Sequence, residues 1–260
     1  MNVAYVLPEQ HPEKRGRNYA VLLIVLLDSL LVLALIFSFP LFTGSAIRHL
    51  TSYDWSGYVV ASDLNAPQPL VTGINASWIV PAVSFSEEDS YSAIWIGIGG
   101  QFDSTLIQAG TEQDSVGQME EYSAWYELLR HSAVTIDSLS ISPGDIITAS
   151  ISLLDSNTST WSIEIYDGGQ AFRKNVVYVS SMLSADWIVE RPAVNNQLTT
   201  LANFGEIRLA GCTVTIGGKV GTVSSFPSIQ VTMYNRQNTE LTSVSTLTSK
   251  GSSFTVNYLG

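Results

Sequence analysis

From Trp55 to the C-terminus the chain is written in short runs whose apolar residues alternate with polar ones, each run closed by Gly, Pro, Asn, Asp or Ser. Ile147, Ala149, Ile151 and Leu153 alternate with Thr148, Ser150 and Ser152; Trp161, Ile163 and Ile165 alternate with Ser162, Glu164 and Tyr166. Side chains on a strand point alternately to its two faces, so this two-residue period describes half-buried strands. Comparable runs fall at 58–61, 93–98, 106–109, 122–128, 176–179, 207–209, 213–216, 229–234 and 253–258. Turn signals such as Pro143-Gly144-Asp145, Asp167-Gly168-Gly169 and Gly217-Gly218 separate many of them. No segment after Trp55 keeps a long 3.6-residue period, and none repeats at solenoid length. Many short antiparallel strands without helices predict an all-β sandwich, occupying residues 55–260 as one domain.

The N-terminal part has a different texture. Residues 20–39 are nearly all Leu, Val, Ile, Ala and Phe, interrupted by Asp28, Ser29 and Ser38, which is long enough to cross a bilayer as a helix. Lys14, Arg15 and Arg17 precede the run, and Arg48 alone follows closely. That asymmetry places the N-terminus in the cytoplasm. The expected order is a cytoplasmic tail (1–18), a transmembrane signal-anchor (19–40), a tether (41–54) and an extracellular domain held at the cell membrane. The alternative is secretion after cleavage near Ala46, following the small residues Thr43, Gly44 and Ser45. Residues 1–18 carry three basic and two acidic side chains, and Asp28 cancels the excess, so the formal net charge of −11 lies outside. A surface of that sign excludes nucleic acid as the expected partner. With one cysteine, Cys212, the domain can form no internal disulfide and must rely on its core.

Common catalytic sets are missing. Beyond residue 54 there is one histidine, His131, so neither a His-rich metal site nor a His-Glu-x-x-His motif can be built, and neither metal nor cofactor is expected. A Ser-His-Asp triad would need His131, which has no nucleophile elbow near it. There is no Asp-Thr-Gly or Asp-Ser-Gly and no Gly-rich phosphate loop. What remains is carboxylates, carboxamides and tryptophans. Ser184–Pro192 reads as a strand that stops at Pro192, with Ile188 and Glu190 on one face and Trp187, Val189 and Arg191 on the other. A carboxylate in such apolar company is exposed at an edge beside Arg191, paired, or functional. Alternation also puts Leu106 with Gln108, Trp95 with Gly97, and Ser123 with Trp125 and Glu127.

Taken in order, Trp55-Ser-Gly-Tyr58, Trp78-Ile-Val-Pro81, Trp95-Ile-Gly-Ile-Gly-Gly100, Leu106-Ile-Gln-Ala-Gly110, Ala124-Trp-Tyr-Glu127, Pro143-Gly-Asp145, Trp187-Ile-Val-Glu-Arg-Pro192 and Leu201-Ala-Asn-Phe-Gly205 form a series that resembles the eqolisins, the glutamic peptidases. The resemblance implies two large curved antiparallel sheets in a lectin-like β-sandwich, and acid cleavage of peptide bonds by a Gln–Glu pair without metal. Motif by motif, it places the catalytic pair on Gln108 and Glu190, groove tryptophans on Trp95 and Trp125, and a groove glutamate on Glu127, with a peptide or unfolded protein as substrate. It implies insensitivity to pepstatin. Where the fungal pattern has Asp, this chain has Gly99, Glu112 and Ser123, which leaves subsite preference open. The fungal disulfides cannot form here, and the tether is too short for their long propeptide.

In that reading Glu190 takes a proton from water and returns it to the leaving amine, while Gln108 donates to the tetrahedral oxyanion. Gln is neutral and adds no like-charge repulsion, so Glu190 is expected to titrate near an ordinary Glu, roughly 4, giving activity in acid and little at neutral pH. Two rivals share the sandwich. One is a non-catalytic lectin-like module that binds carbohydrate or peptide by stacking on Trp95 and Trp125. The other is a glycosidase using Glu127 and Glu190 as facing carboxylates.

Overall fold

The sandwich is built from two sheets whose strands follow the alternation read above. The computed structural model describes residues 47–260; the expected cytoplasmic tail, transmembrane signal-anchor and first part of the tether fall outside the described residues. No helix among those residues is long and apolar enough to cross a membrane. The main strands are β1 (Arg48–Ser52), β2 (Trp55–Ala61), β3 (Val71–Ile79), β4 (Ala93–Gly99), β5 (Leu106–Val116), β6 (Met119–Leu128), β7 (Ile146–Asp155), β8 (Thr160–Asp167), β9 (Gln170–Val177), β10 (Ser184–Glu190), β11 (Glu206–Ile216), β12 (Lys219–Thr222), β13 (Ser228–Met233), β14 (Thr242–Val244) and β15 (Phe254–Tyr258).

The first sheet runs β1–β13–β2–β10–β4–β5–β6 and is completed by the two-residue strands Ser90–Tyr91, Val134–Thr135 and Thr200–Leu201. The second runs β9–β8–β7–β3–β11–β15–β14, with β12 paired to β11. Neighbours are antiparallel except for β1 with β13 and the Thr200–Leu201 strand with Ser90–Tyr91. Residues 48–52, at the end of the stretch read as a tether, therefore belong to the folded domain as an edge strand. Residues 207–209 and 213–216, separate in the sequence reading, are one strand, β11, whose register shifts between Ala210 and Thr213.

The core fills the space between the sheets. Ile94, Ile96, Ile107, Trp187 and Val189 of the first sheet meet Trp78, Ile147, Ile151, Ile163 and Leu209 of the second. Three core indoles satisfy their N–H groups on the way: Trp78 donates to Thr111 Oγ1, Trp187 to the Asn75 carbonyl and Trp161 to the Tyr178 carbonyl, each at 3.0 Å. Cys212 is buried in the same core. The first sheet is covered on its other face as well, by a smaller cluster of Val59, Trp95, Leu106, Trp125, Ile188 and Ile229. This is why every residue of β4 and β10 is buried.

That second face depends on two close approaches. A Cβ built on Gly110 would stand 2.0 Å from the Ile94 carbonyl oxygen and 2.7 Å from Trp95 Cβ. One on Gly97 would stand 2.9 Å from Cζ3 of the Trp95 indole. The two glycines are the seat on which Trp95 lies. Gly110→Ala is expected to lower stability by ~3 kcal/mol or more, because the backbone cannot yield as a flexible side chain would. In thermal melts that corresponds to a fall in Tm on the order of 10 °C, and an unchanged Tm would show that the strands give way more easily than this packing implies.

Candidate active site

The turn between β5 and β6 sets the register of the site. Gly117 and Gln118 both have positive φ, 56° and 67°, as a two-residue type I′ hairpin requires. Val116 then opposes Met119, and counting back along both strands places Gln108 directly opposite Glu127 and Gly110 opposite Trp125. On the other side of β5, Gln108 opposes Gly97 and Glu112 opposes Ala93. β10 continues the rows: Asp186 opposes Gly97, Ile188 opposes Trp95 and Glu190 opposes Ala93. Trp55 opposes Glu190 from β2. All these side chains lie on the face of the first sheet turned away from the second. The face assignments made from alternation, Ile188 with Glu190 and Leu106 with Gln108, agree with this placement.

Glu190 is neither at an edge nor exposed. β10 lies inside the sheet between β2 and β4, and Glu190, Gln108 and Glu127 are 3%, 1% and 0% exposed. Arg191 does not pair with it; its Nη2 donates to the Tyr53 carbonyl at 2.6 Å. Instead the Trp95 indole, resting over Gly97, donates its N–H to Glu190 Oε2 at 2.6 Å. Trp55 meets Trp95 edge to face, with ring centroids 5.0 Å apart. Trp95 thus spans the floor between the Glu190 row and the Gln108 row. Gln108 Nε2 donates to Glu127 Oε2 at 2.6 Å, and Gln108 Oε1 has no partner, so Gln108 and Glu190 share the face without a hydrogen bond between them.

Ten buried side-chain polar atoms among the described residues lack a partner. Six of them belong to this one face: Trp55 Nε1, Gln108 Oε1, Glu112 Oε1, Trp125 Nε1, Glu127 Oε1 and Asp186 Oδ1. Unpaired buried polar atoms are uncommon and costly, so their gathering marks the place where the fold leaves its hydrogen bonding unfinished. The set includes indole donors, a carboxamide acceptor and carboxyl oxygens, which together suit the N–H and C=O groups of a peptide. Among the described residues no group of three or more His, Cys, Asp or Glu side chains is arranged to hold a metal.

Burial dominates the electrostatics. It pushes Glu190 up to about 8, with Asp54 and Glu127 adding to the rise and the Trp95 N–H opposing it. It also pushes Glu127 up to about 8, against the pull of Gln108, and Asp114 up to about 8. Glu112 and Asp186 are raised for the same reason. The expectation of an ordinary Glu190 near 4 is therefore corrected: a neutral Gln spares it one carboxylate, but the sheet desolvates it and supplies others. Among the described residues the one ion pair is Arg173–Glu164, on the second sheet. Two contributors were not read from the sequence. Asp186 was visible four residues before Glu190 on the same face; Asp54 carries no signal beyond its place before Trp55.

Residues 53–258 match the peptidase A4 family. The chain belongs to that family. The eqolisin resemblance drawn from its motifs thus holds for the family as a whole. In fold, this A4 member is similar to scytalido-glutamic peptidase solved with a transition-state analog inhibitor (TM-score 0.66, 21% identity, 80% of this chain and 98% of that one). It is also similar to SCP-B, an eqolisin solved with the tripeptide Ala-Ile-His (0.62, 21%, 80% and 98%), and to aspergilloglutamic peptidase from Aspergillus niger (0.58, 25%, 65% and 99%). No curated protein sequence is a significant match.

The buried carboxyls make stability depend on pH with a definite sign. Their folded values are raised, so between the ordinary value near 4 and about 8 the folded state keeps protons that the unfolded chain has released. Stability contributed by these groups is complete below that window and is lost as pH rises through it. Tm is expected to fall from pH 4 to pH 8, and Glu190→Gln to shallow the fall; a Tm that rises over this range would contradict the burial described here.

Proposed function

We propose that this protein is a glutamic endopeptidase that hydrolyses peptide bonds with Glu190 as general base and acid and Gln108 as the oxyanion donor. The observation that carries the proposal is the Trp95–Glu190 hydrogen bond on a face that also holds Gln108 and most of the unpartnered polar atoms. Below about pH 8 a fully buried Glu190 holds its proton. When water and peptide replace part of its apolar surroundings, the penalty on the charged form falls, and the Trp95 N–H, a donor to that charged form, steadies the carboxylate. Glu190 then takes a proton from the attacking water and delivers it to the leaving nitrogen. The Gln108 N–H not used by Glu127 meets the oxyanion, and its Oε1 holds the water. Acid conditions suit this chemistry because Glu112 and Glu127 stay neutral beside the reacting Glu190. Trp125 offers a free N–H to a substrate carbonyl, while the Trp55 indole faces Glu190 and, like Trp95, favours its charged form.

The variants are measured on an acid-unfolded protein substrate, with circular dichroism as the folding control. Glu190→Gln is expected to remove nearly all turnover while the fold persists. Gln108→Ala is expected to lose on the order of 10²–10³ in kcat. Pepstatin-type inhibitors, chelators and thiol reagents are expected to leave the wild type active. Wild-type rates in a folded Glu190→Gln protein would return the domain to a lectin-like binder.

The proposal also places the domain outside the cell, anchored by residues 19–40, on the strength of Lys14, Arg15 and Arg17 before the apolar run. Because Arg48 onward is folded into the sheet, protease treatment of intact cells is expected to cut between residues 41 and 47 and to release an active fragment. A domain protected until the cells are lysed would overturn the orientation.

A further inference from the structure

Gln108 has a chemical ambiguity that the mechanism cannot tolerate. A carboxamide has an acceptor end and a donor end of nearly the same shape, and rotation about its last bond is soft. An oxyanion needs the NH₂; with the amide turned over, the oxygen would meet the developing negative charge. Something must decide which end faces the reaction. The structure provides one candidate. Glu127 stands directly opposite Gln108 across the β5–β6 ladder, fully buried, and receives the Gln108 Nε2 donation at 2.6 Å on Oε2. A proton on Glu127 has its place on Oε1, the oxygen without a partner, which leaves Oε2 as the acceptor.

Glu127 also lies on the wrong side to touch the reacting atoms. Across the sheet the order is Glu190 on β10, then β4, then Gln108 on β5, then Glu127 on β6. Seen from Glu190, Glu127 is behind Gln108. The sequence reading gave it to substrate; its hydrogen bond gives it to Gln108.

We propose that Glu127 is a positioning residue, which fixes the orientation of the Gln108 carboxamide and so holds one N–H and the Oε1 toward the reaction. The inference rests on the reading of Gln108 and Glu190 as the reacting pair. It separates two jobs that a groove glutamate could have. A substrate contact is felt in KM, whereas a group that aims Gln108 is felt in kcat and only while Gln108 is present.

The test is a double-mutant cycle on the full-length protein with a peptide substrate, reading kcat and KM separately and Tm as the folding control. Glu127→Leu removes the acceptor and is expected to lower kcat on the order of 10²-fold, with KM nearly unchanged. Glu127→Gln keeps an amide oxygen that can accept the same hydrogen bond and is expected to recover most of that loss. In a Gln108→Ala background, Glu127→Leu is expected to cause no further loss. Should Glu127→Leu fail to fold, Glu127→Asp, which withdraws the acceptor by one methylene, replaces it with the same expectation. A raised KM at unchanged kcat, or an equal loss with and without Gln108, would overturn the positioning role. If Gln108→Ala and Glu190→Gln themselves turn over like the wild type, the glutamic-peptidase reading fails first, and the two failures are told apart.

Discussion

The hydrogen bond from the Trp95 indole to Glu190 is the contact around which the first sheet is arranged. It needs a large flat ring lying along a strand, which needs no side chain at Gly97 further along that same strand or at Gly110 on the neighbouring one. It needs β10 and β4 paired with Ile188 opposite Trp95, which puts Glu190 one step beyond the ring. It also needs a dry surrounding, supplied by Val59, Leu106, Trp125 and Ile188. Each requirement is met by sequence that makes little sense for an ordinary sandwich, where the outer face of a sheet is polar and solvated. Here the central strands of the first sheet are buried on both faces, and the outer one holds carboxyl groups in apolar company.

That arrangement ties the stability of the domain to pH. Carboxyl groups buried without cations are comfortable only when protonated. Glu190, Glu127, Asp114, Glu112 and Asp186 are all raised by burial. With a single cysteine, which is buried, the chain has no internal disulfide to offset that cost.

Much of the fold can be read from alternation because most strands bury one face, and a two-residue period survives in the sequence. Where the period is interrupted it fails. Val71–Ile79 is a central strand of the second sheet, but its alternation changes parity where buried Gly73 is followed by buried Ile74, and Arg48–Ser52 is polar enough to pass for a connection. For the site, parity along each strand was enough to put Gln108 and Glu190 on definite faces. Parity says nothing about register between strands. That Gln108 meets Glu127 follows from the two residues of one turn, Gly117 and Gln118, and from no property of Gln108 or Glu127 themselves. The raised carboxyls were beyond reach for a related reason: desolvation belongs to the packed sheet and has no signature in the residues around Glu190.

The unpartnered atoms on the site face have one more implication. An indole N–H, a carboxamide oxygen or a carboxyl oxygen that is buried without a partner weakens a fold by about 1–3 kcal/mol, and the domain keeps six of them side by side: those of Trp55, Gln108, Glu112, Trp125, Glu127 and Asp186. Among the described residues, then, the hydrogen bonding is left most unfinished along one strip of one sheet. On the function proposed above, a peptide laid along that strip brings its own donors and acceptors to these atoms, Glu127 excepted, whose carboxyl is engaged with Gln108. On that proposal, recognition offsets a cost that folding leaves standing on this face.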